Sequence, residues 1–250
     1  MSYGPFGLEG KRILITGASS GIGRSAAIEI SKAGAAECVL VGRSKERLEE
    51  TASLLESGCK ATVEVCDLSV TEELCSLVER LPQLDGAILN AGINKMRPVS
   101  FIKGTDITDI FSVNCFAPML LTKQIIKKKK LKNPSSVVFT ASIAGYSNIV
   151  MGNSIYGASK CALSAFMKYC AIEYSAKGIR FNAIHPGIIE TPLIHKDVSE
   201  EDLTRDQKRY PLKRYGRPEE VAYAMVYLLS DASAWVTGSD LVIDGGRSLV

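Results

Sequence analysis

Histidine is scarce in this chain of 250 residues, His185 and His195 being the only two. With so few imidazoles, and with seven cysteines scattered so that none forms a Cys-x-x-Cys pair, no metal site is expected. Cys38, Cys66 and Cys115 fall in apolar runs, which suits reduced, buried thiols rather than disulfides. No apolar stretch is long enough to span a bilayer, and the residues from Met1 to Gly7 lack the basic and apolar regions of a signal peptide. A soluble, cytoplasmic protein with no membrane partner is therefore expected. Charge of one sign is also lacking: 30 Lys and Arg against 27 Asp and Glu leave a net +3 with both signs interspersed, which argues against a nucleic-acid binder. One basic run, Lys127 to Lys130 with Lys132, departs from that balance. There is no repeat, low-complexity tract or linker, so residues 1–250 are expected to form a single domain with ample apolar residues for its core.

What is present begins with an apolar run, Lys11 to Thr16, bounded by Gly10 and Gly17 and expected as a buried parallel strand. It leads into Gly17, Ala18, Ser19, Ser20, Gly21, Ile22 and Gly23, followed by a predicted helix from Ile22 to Ala33. Glycines there allow a tight turn and let the backbone approach a pyrophosphate at the helix N-terminus, where free N–H groups and the helix dipole favour anions. The spacing is Gly-x-x-x-Gly-x-Gly, and a lone turn of this kind is often only a turn. Strand, turn and helix in that order give the nucleotide reading its weight.

A second strand, Glu37 to Gly42, is followed by Arg43 and Ser44. An acid at this place in dinucleotide-binding folds bonds the adenosine ribose, whereas a basic residue accommodates a 2′-phosphate. No acid occurs from Gly42 to Lys45, so Arg43 points to NADP(H), although a surface arginine at a helix start is the plain alternative. After a helix from Lys45 to Glu56 and a third strand, Lys60 to Cys66, Asp67 is placed to accept the adenine amino group, to cap the helix beginning near Thr71, or to do both. A fourth strand, Asp85 to Asn90, ends in Asn90, Ala91 and Gly92, small residues suited to close approach of a cofactor.

A long helix is expected from Asp106 to Lys130, carrying Asn114 among Ile110, Phe111, Val113, Cys115 and Phe116, where its amide must find partners. Pro134 introduces an apolar strand, Ser136 to Ser142, and a helix from Ser154 to Lys177 carries Tyr156 and Lys160. Four residues is about one helical turn, so phenol and ammonium project from one face. A fixed cation beside a tyrosine stabilises its phenolate and draws its pKa toward the working range. The plain reading is a packed aromatic with a solvated lysine one turn on. Ser142 and the glycine turn add weight to the chemical reading, because a hydroxyl, a phenol and an ammonium would then converge beside a cofactor.

Strands from Gly178 to His185, closed by Pro186 and Gly187, and from Asp240 to Asp244 complete seven, with a helix from Pro218 to Leu229 between them. The alternation predicts an α/β, Rossmann-like, doubly wound parallel sheet of seven strands with helices on both faces. The polar stretch from Glu190 to Tyr215 is expected to be an irregular lid over the substrate.

Taken together, Thr16 to Gly23, Asp67, Asn90 to Gly92, Asn114, Ser142, Tyr156 to Lys160, Asn182 to Gly187, Thr191, Gly216 to Glu220 and Asp244 to Gly246 resemble the motifs of the short-chain dehydrogenases/reductases over nearly the whole chain. The resemblance implies that Asn114, Ser142, Tyr156 and Lys160 are the catalytic tetrad, with Asn114 holding a water that leads to solvent. It also implies that Leu68, Pro186 and Gly187 border the cofactor and that Ile189 and Thr191 hold the nicotinamide carboxamide. Two departures stand out: the interval from Ser142 to Tyr156 is one residue longer than usual, and His185 occupies a place that is often alanine. Within the family the chain is most similar to 3-oxoacyl-(acyl-carrier-protein) reductases, notably in Gly187 to Thr191 and the glycine-rich C-terminus. That implies reduction of a 3-oxoacyl thioester in fatty acid biosynthesis. It further implies a homotetramer built on the two long helices and the last strand, and an acidic carrier protein docked by Lys132 and Lys177 near the active-site mouth. An alcohol, sugar or hydroxysteroid dehydrogenase on the same scaffold is the alternative, since fold and tetrad do not encode substrate. A non-catalytic dinucleotide-binding sensor is the reading of a different class, and the intact tetrad weighs against it.

Overall fold

In the computed structural model, which describes residues 4–191 and 200–250, the apolar runs become strands β1 (Arg12–Thr16), β2 (Glu37–Gly42), β3 (Lys60–Val65), β4 (Leu84–Leu89), β5 (Leu131–Thr140), β6 (Ile179–Pro186) and β7 (Asp240–Ile243). They form one sheet in the order β3-β2-β1-β4-β5-β6-β7, with every pairing parallel. Side chains alternate across a strand, and both faces here are apolar. Ile13, Ile15, Leu40, Ile88, Val138 and Ile184 point to one face, under α1 (Gly21–Lys32), α2 (Lys45–Ser53) and α8 (Pro218–Leu229). Leu14, Val39, Ala87, Val137, Phe139 and Phe181 point to the other, under α3 (Thr71–Arg80), α5 (Ala117–Lys127) and α6 (Ser154–Tyr174). Each Leu or Ile buried this way contributes about 1.5–3 kcal/mol. The order reverses between β1 and β4, which opens a crevice beyond the carboxyl ends of the central strands.

Several elements differ from expectation. The predicted helix from Asp106 to Lys130 is α4 (Gly104–Phe111), one π-helical turn (Ser112–Phe116) and α5. Asn114 lies in that turn, which apolar periodicity does not reveal. Strand β5 begins at Leu131, earlier than expected, because Leu131 pairs with Leu84 despite the polar residues and Pro134 that follow it. Asp67 is not a helix cap. Val70 holds the N-cap position of α3, and the Asp67 carboxylate instead accepts from Ser69 N–H at 2.9 Å.

From Glu200 to Tyr215 the expected irregular lid is ordered. It contains α7 (Glu200–Gln207), followed by two buried tyrosines, Tyr210 and Tyr215, with ring centroids 5.4 Å apart, edge to face. The Tyr210 hydroxyl accepts from Ile188 N–H at 3.1 Å, anchoring this stretch to the end of β6. The part of the expected lid at 192–199 lies outside the described residues.

Candidate active site

The carboxyl ends of β1 and β4 build the first wall. Gly17 has φ +68°, and a Cβ there would stand 2.9 Å from Ala91 Cα; a Cβ on Gly23 would stand 2.2 Å from the Gly17 carbonyl oxygen. Only glycine lets α1 close on the turn this tightly. Thr16 Oγ1 accepts from Asn90 N–H at 2.9 Å and Ala91 N–H at 3.1 Å, while Asn90 Nδ2 donates to the Thr16 carbonyl at 3.3 Å. Asn90 and Ala91 thus brace the turn itself. Arg24 braces it from behind, donating to the Ser19 carbonyl, Thr51 and Glu50. At the N-terminus of α1, Ser20 places no side-chain cap on the first-turn N–H groups, and Thr191 reaches to 3.1 Å from where a Gly21 Cβ would be. Gly21, Ile22 and Gly23 therefore offer uncapped backbone donors, which fit a dinucleotide pyrophosphate.

At the other end of the crevice Arg43 is exposed just past β2, with no acid beside it in the chain. Ser44 caps α2, its hydroxyl accepting from Arg47 N–H at 3.4 Å. The hydrogen bond from the Ser69 hydroxyl, together with the charge of Arg43, holds the Asp67 carboxyl below the usual carboxylate range. Leu68, partly buried, packs against the core beside it.

The reacting groups come from β5 and α6. Helix α6 sets Lys160 Nζ 5.8 Å from the centre of the Tyr156 ring, and Nζ donates to the Thr140 carbonyl at 2.7 Å. Lys160 is only 3 % exposed, and burial pushes its ammonium down to about 8. Burial pushes the Tyr156 phenol up, and the adjacent Ser142 hydroxyl only partly draws it back. This corrects the expectation that Lys160 brings the phenol down. The Nζ is taken up by Thr140, and desolvation of the phenolate dominates. The Ser142 hydroxyl accepts from Ala144 N–H at 3.1 Å, which leaves its own hydrogen to donate toward the crevice.

Asn114 is fully buried and its amide is spoken for. Oδ1 accepts from Ile93 N–H at 2.8 Å, and Nδ2 donates to the Ile93 carbonyl at 2.9 Å and to Ser159 Oγ at 3.3 Å. The side chain clamps the segment after Gly92. A Cβ on Gly92 would lie 3.3 Å from Lys160 Nζ and 3.4 Å from Asn114 Oδ1, so three predicted residues meet at this point. Pro186 ends β6, a Cβ on Gly187 would stand 3.0 Å from Asp244 Cα, and buried Ile189 bridges to Gly216 beside the crevice.

Three contributors escaped the sequence. Thr140 acts through a backbone carbonyl, which leaves no side-chain signal. Ser159 lies inside the Tyr156 to Lys160 motif, yet its hydroxyl links the Tyr156 carbonyl to Asn114. His185 was legible only as an unusual residue. Lys132 and Lys177 do line one groove of about 600 Å³, but at the amino ends of β5 and β6, the opposite edge of the sheet from Tyr156. Within one chain they do not border the mouth, contrary to expectation, and Lys132 is paired with Asp85 at 2.9 Å.

The family described as enoyl-(acyl carrier protein) reductase matches residues 17–248. The 3-oxoacyl-(acyl-carrier-protein) reductase of Rickettsia bellii is 34% identical over 245 residues, covering 97% of this chain and 99% of the relative. Levodione reductase of Leifsonia aquatica is 33% identical over 252 residues, covering 94% and 93%. Among solved structures, a short-chain type dehydrogenase/reductase from Mycobacterium marinum superposes with a TM-score of 0.88 at 32% identity, covering 99% of each chain.

Proposed function

The chain belongs to the short-chain dehydrogenases/reductases, a family of oxidoreductases, and on that premise we propose that it uses NADPH to reduce a ketone to a secondary alcohol, reversibly, the ketone being a 3-oxoacyl thioester on acyl carrier protein. The observation that carries the reading is the meeting of the Ser142 hydroxyl, the Tyr156 phenol and buried Lys160 beside the uncapped start of α1.

In the reducing direction Ser142 donates its hydroxyl hydrogen to the substrate carbonyl oxygen and fixes its position. Tyr156 gives its proton to that oxygen as negative charge gathers there. A bound nicotinamide supplies the hydride for the carbonyl carbon. The phenolate left on Tyr156 lies near the Lys160 ammonium. Arg43 gives the 2′-phosphate a charge-assisted partner, about 1.5–3 kcal/mol in favour of NADPH. Arg43→Asp is expected to reverse the cofactor preference in a steady-state comparison of NADPH with NADH, and wild-type preference for NADH defeats the assignment. Exposed apolar side chains border the mouth: Tyr146, Ile149, Val150 and Met151 between Ser142 and α6, and Met96, Val99 and Phe101 on the loop joined to it where Arg97 N–H donates to the Gly152 carbonyl at 2.8 Å. They suit a substrate with an apolar body.

A small-molecule ketone is the second reading, favoured by the likeness to levodione reductase and by the distance of Lys132 and Lys177 from their own chain's mouth. Both readings are tested by following NADPH oxidation at the nicotinamide band over a carbonyl panel that includes the same 3-oxoacyl group on carrier protein and on a small soluble thiol. Faster turnover of the carrier-bound form, lost with added salt or with Lys132→Glu and Lys177→Glu together, supports carrier docking. Equal rates on both forms before and after the reversal support the small-molecule reading. Tight NADPH binding with no turnover across the panel rejects both.

A further inference from the structure

Behind Ser142, on the side away from the crevice, lies a polar cluster inside an otherwise apolar region. His185 is fully buried near the end of β6. Its Nδ1 stands 2.8 Å from the backbone carbonyl oxygen of Ser142, and its Nε2 stands 2.8 Å from Asp240 Oδ1 on β7. Both partners are acceptors, and each faces one ring nitrogen. Ser164 on α6 lies 3.3 Å from Nε2 and donates to Asp240 as well, and Lys168, one turn farther along α6, pairs with the other carboxylate oxygen at 2.7 Å. Burial works to raise the Asp240 carboxyl, but the bonds from Lys168, Ser164 and His185 outweigh it and keep the group ionised. The His185 ring also packs on Tyr146, with centroids 4.3 Å apart.

Desolvating three polar side chains, His185, Asp240 and Ser164, is unfavourable unless their bonds do something apolar packing could not. Here the bonds join three elements: the segment carrying Ser142, the helix carrying Tyr156 and Lys160, and the β6–β7 edge. Ser142 itself lies two residues beyond β5, flanked by bonds from Ala141 N–H to the Ile184 carbonyl at 2.8 Å and from Ile143 N–H to the Pro186 carbonyl at 3.2 Å, and its own carbonyl faces His185. Resting on the reductase reading above, we infer that His185, oriented by Asp240, is a positioning residue that fixes the Ser142 backbone and sets the serine hydroxyl relative to Tyr156. The loop it steadies continues through Ile143, whose N–H donates to the Pro186 carbonyl and whose own carbonyl accepts from Tyr146, Ser147 and Asn148.

The two ring nitrogens can be tested separately. An asparagine amide nitrogen takes the place of Nδ1, whereas a glutamine amide nitrogen takes the place of Nε2. His185→Asn therefore keeps the bond to Ser142, and His185→Gln keeps only the bond to Asp240. Displacing a reacting group by a fraction of an ångström is expected to lower kcat about 30-fold in His185→Gln, with NADPH affinity and substrate KM within about threefold of wild type, and His185→Asn should recover most of the loss. Hydrogen exchange at the amides of Ile143 to Asn148 should quicken in His185→Gln and stay near wild type in His185→Asn, a readout that needs no turnover. Wild-type kcat or wild-type exchange in His185→Gln overturns the inference, as does an equal loss in both variants. Should His185→Gln not fold, Asp240→Asn keeps the shape and removes the carboxylate, and it is expected to lower kcat about fivefold with the same quickened exchange; wild-type values there also overturn it. If the wild type turns over no carbonyl, the reductase reading fails, and the exchange comparison still decides whether His185 holds the loop.

Discussion

Lys160 carries the largest tension of any single residue here: an ammonium almost wholly removed from water, with one backbone carbonyl for company. Its pKa falls from 10.5 to about 8 on folding. Between those values the unfolded chain still binds a proton that the folded chain has released, so stability rises with pH across the window. Below about pH 8 the charged lysine lowers stability by about 3 kcal/mol, at about 1.4 kcal/mol per pKa unit. Lys160→Met should therefore melt at a higher temperature than wild type at about pH 7, and the gap should close toward about pH 10, as thermal melts without nucleotide will show. A gap independent of pH refutes the buried charge. Tyr156→Phe keeps the ring and deletes the proton donor, so kcat should fall by at least about two decades while NADPH affinity measured by fluorescence titration stays unchanged. Side-chain chemistry of this kind was legible in the sequence because Tyr156 and Lys160 lie one turn apart and Ser142 ends an apolar run. The partners that tune them were not, since Thr140 contributes only its carbonyl and His185 meets Asp240 across 55 positions of chain.

Among the elements, the π turn between α4 and α5 has the most specific task. An α-helix running straight through Asn114 would leave no irregularity at this point, whereas the π turn accompanies an amide that grips both backbone groups of Ile93. Asn114→Ala removes the partner of that N–H and carbonyl at a part-buried site, a loss of about 1–3 kcal/mol. Thermal unfolding should show it, and activity should fall together with it; an unchanged melting temperature means the clamp contributes nothing. Strands and helices were read from the sequence with small shifts at their ends, because β1, β2 and β4 are continuous apolar runs and α8 opens on Pro218 with Glu220 returning to the Arg217 N–H. The π turn was not legible, since one extra residue in a helix barely disturbs a periodicity already smeared by Val113, Cys115 and Phe116. Strand β5 was shortened in expectation by Lys132, Asn133 and Pro134, residues that usually signal a loop. The anchoring of Tyr210 and Tyr215 depended on contacts with Ile188 and Asp206, which no local pattern encodes.

For the whole molecule, Tyr169 and Ile172 on α6 and Phe116 at the π turn are exposed by 69, 79 and 57 %, and Trp235 near β7 is fully exposed. Exposed apolar side chains on these elements suit contact with another copy of the chain. A homotetramer is the proposed assembly, and light scattering at micromolar concentration should give four times the 27.0 kDa of the chain; a monomeric mass refutes it, and Tyr169→Asp with Ile172→Asp should shift the wild-type assembly toward smaller species.

The reversal of strand order between β1 and β4 also governs how the chain comes into being. Ile13 pairs with Gly86 and Ile15 with Ile88, so β1 waits 73 residues of synthesis for its second neighbour. At about 5–20 residues per second that delay lasts roughly 4–15 s, during which the edge of β1 that β4 covers has no strand to pair with. Its exposed row is Ile13, Leu14 and Ile15, as apolar as the centre of the finished sheet and open to any other strand in the vicinity. The crevice that would hold a dinucleotide and the most adhesive edge of the nascent chain are thus one place at two moments of the protein's life.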